Sequence, residues 1–379
     1  MSASRKCFPG SARVWLALLA VAVGTLATAA PALALPANFW GVVPQAPPTA
    51  EEYARLKQGG VDSIRIGLLW DTIQPQRGGA FEWGPTDAEV EDATKARIEV
   101  LPFSYGAPSW AVPSARVPGS TAKAPRQLPV AGQAKAAWAA LLKAAVARYG
   151  PGGEFWSAHP DLPERPLRTW QIWNEENFKY FVARPNPIEY GKLVKSSYAA
   201  IKAVDRGARV ILGGMFAWPK EARWNVRPPQ AYYAADFLER MYRSTPGLRS
   251  KFNGVALHPY SANYKRLNPQ IEELRKVLKK NHDAGKGLWI TELGWSSQQP
   301  SQGNQFAKGL QGQATQLKGA FSLLRQKQAK WRVKQVFWFS VDDRQSSCNF
   351  CDGSGLFSEG LVPKPAWYAY VRFAGGVSG

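Results

Sequence analysis

Residues 169–177 read Thr-Trp-Gln-Ile-Trp-Asn-Glu-Glu-Asn, and residues 288–295 read Leu-Trp-Ile-Thr-Glu-Leu-Gly-Trp. Each is a short apolar run that stops on a carboxylate, Glu175 in the first and Glu292 in the second. A charge directly after a buried strand needs a reason, because a carboxylate leaves water at a cost. Working outward, runs of the same kind recur along the chain, at Phe39–Val43, Ser63–Leu68, Ile98–Phe103, Thr169–Trp173, Arg209–Leu212, Gly254–Leu257, Leu288–Thr291 and Val333–Phe339. Strands without polar alternation are buried on both faces, as in parallel sheets covered by helices.

The segments between them have helical character. Thr49–Gln58 opens on a Thr cap with Glu51 and Glu52 in its first turn, where the helix dipole favours anions. Ala131–Arg148 is rich in Ala, Leu and Lys and stops at Gly150-Pro151. Pro187–Val204, Gln230–Arg243, Pro269–His282 and Gln305–Gln328 carry apolar residues three and four apart. Eight strands alternating with about eight helices predict an α/β fold, a single (β/α)8 TIM barrel. An open doubly wound sheet would need a Gly-rich turn after its first strand, and Gly41-Val42-Val43-Pro44 is not one. Glu175 and Glu292 lie three strand–helix units apart, so both fall on the C-terminal rim, where barrels place their chemistry. Other strand ends on that rim are Arg65 to Trp70, Ser104-Tyr105, His258-Pro259-Tyr260 and Trp338.

Composition excludes several classes. The chain is 45% hydrophobic, enough for a large core and too much for a disordered chain. Three cysteines cannot build a disulfide framework, and three histidines argue against a His-rich metal enzyme. Arg5, Lys6 and Arg13, the apolar run Val14 to Ala27, and Ala32-Leu33-Ala34 predict a cleaved signal peptide over 1–34. Residues 35–379 are then one secreted catalytic domain, with no later segment approaching the ~20 apolar residues of a membrane span. The stretch Pro113 to Pro129 reads as a long loop inside the alternation. Lys plus Arg total 48 against 28 Asp plus Glu, a formal charge of +20. No nucleic-acid motif accompanies that charge, so nucleic acid is not expected; excess positive charge can raise the local concentration of an anionic polymer or hold a protein near an anionic cell wall. Lys276, Lys279, Lys280 and Lys286 read as a solvated helix face. Cys348 and Cys351 read as a small disulfide stiffening the loop after the last strand.

Two carboxylates facing each other across a barrel mouth are what glycoside hydrolysis needs, one protonated and one ionised. Trp170-Gln171-Ile172-Trp173-Asn174-Glu175-Glu176-Asn177 resembles the Trp-Asn-Glu-Pro-Asn signature of clan A glycoside hydrolases, with Glu176 where proline is usual. Trp289-Ile290-Thr291-Glu292-Leu293-Gly294-Trp295 resembles their Thr-Glu-x-Gly-Trp signature. His258-x-Tyr260, Trp338, and Trp70-Asp71-Thr72-Ile73-Gln74-Pro75 with Phe81-Glu82-Trp83 are similar to other strand-end residues of that clan. The likeness runs from about Phe39 to Tyr370 and is nearest to family 39, with the family 5 cellulases as neighbours. It implies that Glu175 is the acid/base and Glu292 the nucleophile. It implies that Asn174 binds the sugar 2-hydroxyl, that Tyr260 and Arg65 hold the nucleophile ionised, and that Trp338 is a sugar-stacking platform. Tyr105, His258, Trp70 and Trp295 are further candidates for lining the substrate site, and Trp110 is a weaker one.

The expectation is a retaining β-glycosidase acting on an extracellular or cell-wall polysaccharide or oligosaccharide, monomeric and needing neither metal nor organic cofactor. A transglycosidase would use the same pair, and a non-catalytic carbohydrate-binding barrel would have no need to keep both carboxylates.

Overall fold

Eight strands carry the fold: β1 (Trp40–Val43), β2 (Ser63–Leu69), β3 (Glu99–Tyr105), β4 (Thr169–Ile172), β5 (Arg209–Phe216), β6 (Gly254–His258), β7 (Gly287–Leu293) and β8 (Val333–Phe339). They pair in parallel in chain order, and β1 closes onto β8 with Trp40 opposite Val336 and Val43 opposite Phe339. The expected closed barrel is therefore the observed one. This computed structural model describes residues 1–4, 34–113, 127–218, 226–301, 303–344 and 351–378. The expected leader falls almost wholly outside that range, as do most of the Pro113–Pro129 loop and Cys348, and with Cys348 its expected pairing to Cys351. Leu35–Gly379 forms one unit. Among the described residues no helix is long and apolar enough to cross a membrane.

The helices are α1 (Ala50–Gln58), α2 (Trp70–Ile73), α3 (Gly84–Lys95), α4 (Gly132–Tyr149), α5 (Glu154–Ala158), α6 (Pro187–Val204), α7 (Ala234–Ser244), α8 (Leu267–Lys280), α9 (Gly309–Trp331) and α10 (Pro365–Ala374). The Thr49 cap is a full capping box: Thr49 accepts the Glu52 amide at 3.2 Å, and Glu52 Oε2 accepts the Thr49 amide at 2.6 Å. Helix α7 starts four residues later than the apolar spacing indicates. Helices α3 and α10 were not anticipated, although each carries a Pro in its first turn, a usable start signal.

Strand burial divides into two cores. Side chains turned outward, such as Ile64, Ile66, Trp170, Ile172, Val255, Leu257, Ile290 and Trp338, pack against the helices. Side chains turned inward plug the barrel: Val43, Leu101, Ile211, Ala256, Trp289 and Phe337, with Phe339 packed on top. Filled interiors of this kind leave only the C-terminal rim for chemistry.

Candidate active site

Strand β4 ends at Ile172, and the chain then turns sharply. Trp173 has φ +71° and Glu175 φ +41°, a left-handed region that side chains with a Cβ rarely adopt. Such conformations cost about 1–3 kcal/mol each and persist only where the surroundings over-determine them. Here they do. The Trp173 indole N–H donates to the Phe181 carbonyl at 3.1 Å, and its ring packs on Trp138. Asn177 donates to the Phe216 and Tyr232 carbonyls and accepts the Phe216 amide, each within 2.9 Å. The turn thereby presents Asn174 and Glu175 together.

Arg65, fully buried on β2, is the hub beneath them. Its Nε donates to Gln171 Oε1 at 3.0 Å, Nη1 to Glu292 Oε1 at 2.7 Å and Nη2 to Asn174 Oδ1 at 2.6 Å. The guanidinium carbon lies 3.7 Å from the centroid of the Phe103 ring, and Phe103 is stacked on Tyr105 at 5.2 Å. One cation thus links β2, β4 and β7 through hydrogen bonds that would otherwise be missing in a dry interior. Asn174 spends its oxygen on Arg65, which leaves its amide NH2 as a donor without a partner among the described residues.

From the other side, His258 on β6 reaches both carboxylates. Its Nδ1 lies 2.8 Å from Glu175 Oε1 and 3.5 Å from Glu292 Oε2, and Nε2 lies 3.0 Å from Thr291 Oγ1. Burial and the Arg65 charge hold the imidazole well below its ordinary pKa, so it is neutral. In the tautomer in which Thr291 donates to Nε2, the one ring proton sits on Nδ1 and is given to Glu175 Oε1. In that tautomer Glu175 Oε2 is the oxygen left to carry an acidic proton. Tyr260 donates to Glu292 Oε2 at 3.0 Å and stacks on Phe216.

Glycine makes this fit possible. A Cβ on Gly214 would lie 1.9 Å from His258 Nε2, and one on Gly213 would lie 1.9 Å from Glu176 Oε2. The two adjacent glycines of β5 face opposite sides of the sheet, so one admits His258 inside the barrel and the other admits Glu176 outside it.

Desolvation pushes both carboxyls up. Glu175 stands well above the carboxylate range because burial and the Glu292 charge both disfavour its ionisation. Burial also raises Glu292, but Arg65 and the Tyr260 hydroxyl pull it back. Arg65 was expected to keep Glu292 low. Burial outweighs that effect, and what survives is the order: Glu292 ionises first and Glu175 keeps its proton. Glu176 is a third carboxyl raised by burial, pushed up to about 8. Among the described residues neither of its oxygens has a partner in good hydrogen-bond geometry, and its own backbone N–H and the Tyr190 hydroxyl are the polar groups that pull its pKa back. The neighbouring Tyr190 hydroxyl donates to the Ile172 carbonyl at 2.7 Å and accepts the Gly213 amide at 2.6 Å.

Of the residues expected from sequence, Arg65, Asn174, Glu175, His258, Tyr260 and Glu292 converge, with half-buried Tyr105 beside them. Three do not. Trp70, Trp295 and Trp338 are fully buried and offer no face to a sugar. Their indole N–H groups donate to Gln74, to the Ser261 carbonyl and to the Ser354 carbonyl. Trp338 packs on Trp295 and Phe321 in the helical layer because the period-two alternation of β8 turns it outward. The inward residue is Phe339, which the sequence reading missed. Its signal was Phe337, two positions earlier and on the same face. Trp110 is only half-buried, but it gives its indole N–H to the Gln74 carbonyl and packs edge-on against Trp70.

One ligand atom from each of Glu175, His258 and Glu292 lies within 4.8 Å of the others. Two carboxylates and an imidazole at that spacing form a donor set for a cation, but the Arg65 guanidinium already supplies positive charge to Glu292.

Residues 174–370 match the protein family described as "Glycosyl hydrolase catalytic core", which is more than half of the chain, and the chain belongs to that family. It carries a glycoside hydrolase core on a closed eight-stranded barrel. Among solved structures it is similar to a family 39 glycoside hydrolase from Bacteroides cellulosilyticus, at 21% identity and TM-score 0.65 over 90% of this chain. The match spans 64% of that enzyme's length. A monomeric β-xylosidase from Caulobacter crescentus is similar at 17% identity and TM-score 0.59, over 89% of this chain and 68% of the other. Xylanase 10B from Thermotoga petrophila is similar at 16% identity and TM-score 0.58, over 89% and 94%. At these identities the likeness establishes the fold. A search of curated protein sequences finds no match.

Proposed function

We propose that the protein is a retaining β-glycosidase acting on an extracellular or cell-wall glycan, with Glu292 as nucleophile and Glu175 as acid/base. The observation that carries this reading is the closeness of the two carboxyls, within 4.8 Å at their facing atoms. A retaining site needs its carboxyls about 5–5.5 Å apart, whereas an inverting site needs about 6.5–9.5 Å to seat a water.

In the first step Glu292 attacks the anomeric carbon while Glu175 Oε2 gives its proton to the departing oxygen. The carbon–oxygen bond to the leaving sugar breaks as the ester to Glu292 forms. With its proton gone and the Glu292 charge cancelled, Glu175 becomes a base and takes a proton from incoming water. Water then displaces Glu292, and the two inversions sum to retention. Asn174, oriented by Arg65, offers its NH2 to a sugar hydroxyl. Phe339, rather than Trp338, supplies the ring at the end of β8. The signal-peptide pattern read over 1–34 supports an extracellular location.

The test is the anomeric configuration of the first product, followed by NMR before mutarotation. Retention is expected, and Glu292→Ala should abolish turnover with the fold intact. An inverted product would refute the role given to Glu292.

A further inference from the structure

The basic charge is unevenly answered by acids. On α8 and just beyond, Lys280 pairs with Glu239 at 2.6 Å and Lys286 with Asp283 at 3.6 Å. Between α6 and α7 the situation differs. A cavity of about 530 Å³ there is lined by Arg184, Arg240 and Arg243, with Asn186, Glu189 and Tyr232. All three arginines are exposed, and among the described residues none is in an ion pair. The lining sets these three cations against one carboxylate, Glu189, and the Arg243 charge also reaches Glu239, which is already paired with Lys280. The Arg240 guanidinium lies over the Tyr232 ring at 5.6 Å.

The groove is also tied to the catalytic loop. The segment at Tyr232 is held by Asn177, whose Nδ2 donates to the Tyr232 carbonyl at 2.8 Å and whose own carbonyl accepts the Tyr232 amide at 3.1 Å. Phe178 bridges to Ala231. Asn177 stands two residues after Glu175. The groove therefore adjoins the loops that follow β4 and β5, on the side of the mouth that carries the proton donor.

We propose that this groove binds a carboxylate-bearing stretch of polysaccharide, so that the glycan on which the barrel acts is anionic. Guanidinium forks match carboxylates in a bidentate geometry that lysine cannot offer. The Tyr232 ring, already under Arg240, gives the apolar face of a sugar a surface to pack on. Three exposed arginines outnumber the acids near them, Glu189 and the Lys280-paired Glu239, and a uronate chain relieves the repulsion that remains. The proposal rests on the chain being a glycan-acting enzyme and goes beyond it in naming the charge of the glycan.

Binding is measured on the full chain carrying Glu292→Ala, so that turnover plays no part. The probes are hexagalacturonate, hexamannuronate and neutral xylohexaose, titrated by calorimetry at low and high salt. At least one anionic hexamer should bind more tightly than xylohexaose, and less so as salt screens the charges. The triple variant Arg184→Gln, Arg240→Gln, Arg243→Gln should weaken that binding about tenfold or more, an arginine–carboxylate contact being worth more than an exposed point charge. A control removes the same charge elsewhere, through Lys276→Gln, Lys279→Gln and Lys318→Gln, and should change affinity less than about twofold. Equal weakening by the two triples, equal binding of the neutral hexamer, or failure of both anionic hexamers to bind would each overturn the proposal. So would a single-stranded DNA oligonucleotide that competes as well as the uronates, since the groove would then read charge alone. Loss of the catalytic reading would appear separately, as wild-type protein that binds a uronate but cleaves no glycoside.

Discussion

At the scale of single residues, the two carboxyls differ only in their company. Both are buried glutamates at strand ends, and Glu292 alone has a guanidinium at 2.7 Å and a phenol at 3.0 Å. Activity should be bell-shaped in pH, with the acidic limb reporting the ionised member of the pair and the alkaline limb the protonated one, as values of the coupled pair. Tyr260→Phe removes one hydrogen bond to the Glu292 carboxylate and keeps the ring that packs on Phe216. Glu292 then ionises at higher pH, so the acidic limb of kcat/KM should move up, with kcat lower by about 10–100-fold. An unmoved acidic limb would show that Tyr260 does not act through Glu292. This scale also marks what a sequence reveals. Glu175 and Glu292 were legible because a charge interrupts an apolar run. Trp338 was misread because strands buried on both faces carry no polarity signal to say which side chains point inward.

At the scale of elements, the sheet ends are specified more by what is missing than by what is present. The eight strands could be read from their apolar runs, while the Gly213-Gly214 step in β5 gave no hint of its purpose. Its partners, Glu176 and His258, come from the turn after β4 and from β6 and meet it only when the barrel closes. Gly214→Ala should drive a methyl group into the His258 ring, costing about 1–3 kcal/mol of stability. With His258 displaced from Glu175, kcat should fall by about 100-fold, as when a proton donor loses its orientation. Gly67→Ala is the matched control, since its added methyl would meet only side chains at 3.2 Å or more. A Gly214→Ala enzyme with an unchanged kcat would show that His258 is not held by this contact.

For the molecule as a whole, the buried Glu176 couples folding to pH. Its carboxyl has an ordinary value near 4.5 and is pushed up to about 8 in the folded chain. The native state therefore binds the proton more tightly than the unfolded state. Its contribution to stability is complete below about pH 4.5 and is lost as pH rises toward 8. Glu176→Gln removes that dependence. Relative to wild type, the variant should gain roughly 2–4 kcal/mol between pH 5 and pH 9, read from denaturant midpoints across the range. Parallel pH profiles for the two proteins would mean that Glu176 binds its proton equally well in the folded and unfolded states. The family resemblance drew attention to this position as a departure from proline, but the burial that gives it consequence depends on the close approach of Tyr190 and Gly213, which a linear sequence does not display.

The hub at Arg65 bears on timing. In the resting site its charge is answered by Glu292, and esterification of Glu292 would take that answer away. The guanidinium would keep its neutral acceptors, Gln171 and Asn174, but would lose the carboxylate it touches at 2.7 Å, leaving the newly ionised Glu175, which it does not hydrogen-bond, as its nearest anion. A cation so placed is costly in a low-dielectric interior. The intermediate would thus be the least comfortable station on the path, and release of the bound sugar would restore the counter-ion. A short-lived glycosyl-enzyme is the consequence, one that rapid-quench trapping should find sparsely populated at steady state with good leaving groups and water as acceptor.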